Sequence, residues 1–174
     1  MIQKLLILVG LVCLGLWGFF TVQARWEQEA LQEELYRSKP ASTPSVTKRV
    51  LKEGDLFGRL EVPRLNMSVM VMEGIASKTL RLGAGHIPGT AMGIAAHRDS
   101  FFRPLSKIQK DDVIRFTSLD GSKEYRVIST KIVGPKETDV LESEPKDSIT
   151  LVTCYPFYYI GPAPKRFIVQ AKTN

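Results

Sequence analysis

Residues 149–157 read ITLVTCYPF. Ile149, Thr150, Val152 and Thr153 are β-branched, and Pro156 offers no backbone N–H to a ladder, so the segment predicts a strand that stops just past Cys154. A second run of the same texture, Arg166 to Ala171, follows a connection stiffened by Pro156, Pro162 and Pro164. If these two strands are neighbours, Arg166 stands beside Cys154. Cys154 is also the only cysteine outside the N-terminal apolar stretch. An unpaired thiol at the end of a strand is either a small buried hydrophobe or a reactive group.

Upstream the pattern stays short and extended. Phe57 to Val62 alternates and is interrupted by Pro63, and Met67 to Met72 is a second short apolar run. Ser77 to Leu82 predicts a helical turn, and Gly93 to His97 a buried strand. Phe101 to Ile108 predicts a short helix with Asp99 and Ser100 as caps. Val113 to Thr117 and Lys123 to Val133 flank Leu119-Asp120-Gly121-Ser122, a hairpin signal. His86 falls in what reads as a glycine-flanked loop. Many short strands with few helices predict an all-β barrel or sandwich over residues 51–174.

The N-terminus differs in kind. Residues 5–24, LLILVGLVCLGLWGFFTVQA, form a stretch of 20 without a charge. As a helix it would be about 30 Å long, the thickness of a hydrocarbon core. Residues 1–24 are therefore expected to be a transmembrane signal anchor, with a cleaved signal peptide as the alternative. Either would put the rest of the chain outside the cytoplasm. Residues 25–50 predict a juxtamembrane helix followed by the linker PASTPSVT. The net charge of +6 is thinly spread, with no run of Lys or Arg beyond two, so nucleic acid is not an expected partner.

Chemistry in residues 51–174 is restricted to few groups. There are one thiol, Cys154, and two imidazoles, His86 and His97. A thiolate that attacks an amide needs a proton for the leaving amine and a donor for the oxyanion. A histidine can serve the first need, and the fixed charge and several donors of Arg166 the second. Neither metal-ligand spacing nor a phosphate loop is present, so no metal or cofactor is expected.

Three separated stretches, TLRLGAGHIPGTA (79–91), GIAAHRDSFFRPL (93–105) and TLVTCYPFYYIGPAPKRFIV (150–169), resemble the sortase family, most closely its class D. The resemblance covers Leu56 to Ala171. It implies a closed sortase β-barrel with a few short helices behind a transmembrane helix. It also implies a cysteine transpeptidase that cleaves an LPxTG-like sorting signal after Thr and passes the acyl group to an amine. By the same resemblance the family's catalytic residues fall on Cys154, His97 and Arg166. Leu151, Thr153, Tyr155, Phe157 and Ile160 are expected to meet the signal, with His86 and Asp99 in support. The implied partners are secreted proteins bearing the signal and an amine acceptor, such as a cell-wall precursor or a pilin Lys. A membrane-tethered cysteine peptidase and a non-enzymatic β module are the alternatives.

Overall fold

The computed structural model describes residues 51–137 and 147–173, together with Leu14. The expected anchor over 1–24, Leu14 apart, and the helix and linker over 25–50 lie outside the described residues. Among the described residues no helix is long and apolar enough to cross a membrane.

Eight strands close into a barrel in the order β1-β2-β3-β4-β7-β8-β6-β5. They are β1 (Leu56–Val62), β2 (Met67–Glu73), β3 (Ala84–His86), β4 (Gly93–Ala95), β5 (Val113–Ser118), β6 (Gly121–Val133), β7 (Ser148–Tyr155) and β8 (Lys165–Lys172). One helix, α1 (Ser77–Leu82), and two 3₁₀ turns (Pro63–Leu65 and Arg103–Lys107) fill the connections. Alternation decides which side chains go inward. Leu60, Val69, Ile94, Ile114, Val127, Leu151 and Val169 form the interior and are at most 2% exposed.

Two sequence expectations are corrected. The short helix expected over 101–108 is a 3₁₀ helix over Arg103–Lys107, and its N-cap position is Phe102, with no side-chain cap from Asp99 or Ser100. Phe102 and Leu105, three apart, both reach the core, which three residues per turn allows. His86 is in a strand, not a loop. β3 is only three residues long and glycine-bearing, so it lacks the apolar run by which a strand is recognised. Gly85 is required there because a Cβ would lie 2.2 Å from the carbonyl oxygen of Gly74. The link from β3 to β4 is tight: Ile87 N–H donates to Gly93 O (2.8 Å), and Gly93 N–H to the Thr90 hydroxyl (2.9 Å).

The long strand β6 serves two neighbours. Residues 121–126 pair with β5, and residues 126–133 pair with β8 across a register shift between Val127 and Ser129. A shift of this kind bends a strand, which helps a barrel to close. Two pairings are parallel, β2 with β3 and β4 with β7, and the second brings together segments far apart in the chain.

Candidate active site

Cys154 and Arg166 are register partners in the antiparallel pair of β7 and β8. Directly opposed residues in such a pair have Cβ atoms about 4.5–5.5 Å apart and share a face. Both are partly buried, and the Cys154 thiol is free. The Arg166 guanidinium is steered by two loop carbonyls, with Nη1 donating to Ala163 O (3.2 Å) and Lys165 O (3.0 Å). Those bonds do not use its Nε and Nη2 donors.

His97 arrives from the other side. β4 runs parallel to β7, with Gly93, Ile94 and Ala95 level with Thr150, Leu151 and Val152. The register continues past the end of β4, where Ala96 N–H donates to Val152 O (3.3 Å). The Thr153 hydroxyl then donates to Ala96 O at 2.8 Å, keeping the same offset of 57 residues. One further step brings His97 level with Cys154. Since β4, β7 and β8 are successive in the barrel, the same offset carried two residues past the end of β4 sets His97 at the Cys154 level on one side, with Arg166 opposite Cys154 on the other. Strand spacing of about 4.8 Å sets the scale between members of the row. His97 is exposed, so the row opens to solvent on the imidazole side.

Beyond Cys154 the chain makes a cis peptide at Tyr155–Pro156. Tyr155, Phe157 and Phe167 then gather, with ring centroids 5.2–6.3 Å apart. Phe157 and Phe167 pack on the core. Tyr158 (76% exposed), Tyr159 (47%) and Ile160 (99%) stand out from the loop as an apolar crest. Phe167 was not among the residues expected from sequence. Its alternation with Val169 and Ala171 marks it as inward-facing, but only the β7–β8 pairing sets it under Tyr155.

Several expected site residues lie elsewhere. Leu151 is 0% exposed within the core cluster, so its expected contact with a signal is corrected: it points away from the thiol, into the barrel. Thr153 is 3% exposed and also faces inward, away from the face of the thiol, and its hydroxyl ties β7 to the end of β4. His86 is level with Ile94, on the face opposite Cys154. Its Nδ1 lies 2.8 Å from Glu73 Oε2, and its ring stacks on Phe57 at 4.4 Å, so the structure does not bring it to the trio. Asp99 is exposed in the turn that follows His97. Among the described residues no three His, Cys, Asp or Glu side chains come together in a way that could hold a metal ion.

A thiol at the edge of a closed barrel, with an imidazole on one flank and a guanidinium on the other, defines a β-barrel cysteine enzyme for acyl transfer. The sortase domain matches residues 60–174. Sortase D of Bacillus subtilis is 30% identical, with 98% of this chain and 96% of the relative covered. Sortase A of Listeria monocytogenes is 32% identical, covering 57% of this chain and 49% of its own length. Among solved structures, a Clostridium perfringens Sortase D5 transpeptidase matches with a TM-score of 0.73 and 26% identity, over 85% of this chain and 98% of that one. The chain belongs to the sortase family and is an enzyme of the cysteine transpeptidase type.

Proposed function

We propose that the chain is a membrane-anchored, extracytoplasmic transpeptidase that cleaves an LPxTG-like sorting signal after its Thr and transfers the product to an amine. The single observation that supports this best is the row of Cys154 on β7 and Arg166 on β8 with His97, two residues past the end of β4, at the Cys154 level.

In this reading the Cys154 thiolate adds to the carbonyl carbon of the signal's Thr. Negative charge gathers on the carbonyl oxygen, and Arg166 donates to it. As the C–N bond breaks, His97 in its imidazolium form gives a proton to the departing amine. A thioester to Cys154 remains. An acceptor amine then attacks the thioester, neutral His97 takes a proton from that amine, and the sulfur leaves as thiolate. Atoms and charge balance over the cycle, and no cofactor is called for. The crest of Tyr158, Tyr159 and Ile160, with Phe157 behind it, offers apolar surface for the Leu and Pro of the signal. The uncharged stretch over 5–24 is the proposed anchor. The acceptor is proposed to be a cell-wall precursor amine or a pilin Lys.

Mass spectrometry of the purified protein with LPxTG-like peptides tests the reading. An acyl adduct is expected on Cys154, followed by its transfer to an added amine such as triglycine or diaminopimelate. Release to water alone, with amine present in excess, would favour the peptidase alternative. An enzyme that never acylates would overturn the proposal.

A further inference from the structure

The residue after His97 carries a side chain that neither the row nor the barrel requires. Arg98 is 9% exposed, an uncommon degree of burial for a guanidinium. Its Nη2 donates to Tyr159 O at 2.7 Å and to Gly161 O at 3.0 Å. Its Cζ lies 5.7 Å from the centroid of the Tyr159 ring. Among the described residues its Nη1 has no acceptor, and no carboxylate forms an ion pair with it. Burying a fixed charge is costly unless it is paired or hydrogen-bonded, and here the two loop carbonyls and the ring are what offset that cost.

What these contacts join is specific. Residue 98 directly follows the imidazole, and residues 159 and 161 are at the centre of the loop that leaves Cys154 and returns at Arg166. Tyr158 and Ile160, on either side of the anchored Tyr159, are the most exposed residues of that crest. Phe102 N–H donates to His97 O (3.1 Å), closing the turn that carries both His97 and Arg98.

We propose that Arg98 is a positioning residue that locks the β7–β8 loop to the His97 turn, so that the apolar crest and the imidazole move as one body and the crest is held at the width a sorting signal requires. The inference rests on the reading of that loop as the wall for the signal. Arg98 does not touch reacting atoms. It acts through Tyr159 and Gly161, and its effect falls on binding of the signal more than on the chemical step. Lysine is a poor substitute: its ammonium is a point charge on a flexible stem, without the rigid plane that aims Nη2 at both carbonyls while Cζ lies over the Tyr159 ring.

The test uses Arg98→Lys and Tyr159→Leu in the full chain, with Arg98→Ala where it folds. Three quantities are read: KM and kcat for a signal peptide, and the rate of chymotryptic cleavage after Tyr158 and Tyr159 (Tyr158 only in Tyr159→Leu). For Arg98→Lys, KM is expected to rise about 10-fold or more, as loss of charge-assisted hydrogen bonds implies. kcat should stay within about threefold, and loop cleavage should speed up about 10-fold, the change expected for losing one such contact. Tyr159→Leu should shift KM in the same direction by a smaller factor. Wild-type KM and wild-type loop protection in Arg98→Lys would overturn the inference. So would a fall in kcat with KM unchanged, which would place the effect on His97 alone. If no signal peptide acylates the wild-type protein, the transpeptidase reading fails, and the cleavage rates still decide whether Arg98 holds the loop.

Discussion

Thr153→Val removes one oxygen and leaves shape and β-propensity nearly unchanged. That oxygen makes a single bond, to Ala96 O at 2.8 Å, from a side chain 3% exposed. Its loss removes a net contribution of about 1 kcal/mol, and a carbonyl left desolvated without a donor raises the cost to about 1–3 kcal/mol. For a domain of this size the melting temperature should fall by roughly 3–10 °C. The same bond sets the end of β4 against the end of β7, one residue before the His97 and Cys154 levels. A displacement of about 1 Å there would slow acylation by about 10²-fold. Thermal unfolding by circular dichroism and single-turnover acylation with a signal peptide measure the two effects. Thr153→Ser keeps the hydroxyl and is expected to retain most of the acylation rate. If valine and serine acylate equally fast and melt together, the hydroxyl does not hold the row and the reasoning fails.

Cys154→Ala should abolish acyl-adduct formation with little change in melting temperature, whereas Leu151→Ala, which empties a fully buried core position, should cost about 2–5 kcal/mol in urea unfolding. Arg166→Lys should slow acylation by about 10²–10³-fold, as removal of an oxyanion donor does; an unchanged rate would take Arg166 out of the mechanism. Gly85→Ala places a Cβ against the backbone oxygen of Gly74, which has no rotamer to escape with, and is expected to destabilise by about 1–3 kcal/mol. The Arg64 guanidinium, bonded to both carboxylate oxygens of Asp112, holds that carboxyl below the usual aspartate range, against the opposing pull of burial. A depressed carboxylate contributes stability above its unfolded value of about 3.9 and loses it as pH falls through the native value. Asp112→Asn should therefore be less stable than wild type at pH 7, and the gap should narrow in urea titrations as pH falls below the ordinary aspartate value of about 3.9. A gap that is constant with pH would show that the ionised form of Asp112 contributes nothing.

Sequence carried the strands with the strongest local signals. Alternation ended by Pro63, a β-branched run ended by Pro156, and the Leu119-Asp120 turn before Gly121 mark β1, β7, β5 and β6, and these are local properties. The short helix at Ser77–Leu82 was legible for the same reason. β3 was not, because three residues with a glycine between them carry no period, and only their pairing with β2 and β4 defines them as a strand. The side chains of the row were legible as types, and an Arg opening the strand after a Cys-bearing strand suggested the register of β7 against β8. The facing of residues 151 and 153 is not a local property: a strand shows two faces, and which one meets the core depends on closure of the barrel. The structure alone decided that Leu151 and Thr153 point inward. It alone brought His97 to Cys154 through a parallel pairing across 57 residues, and turned Arg98 back onto the loop beyond the cysteine. Composition and spacing can nominate a thiol, an imidazole and a guanidinium; the order in which strands pair sets the distances between them, and that order is a property of the whole chain.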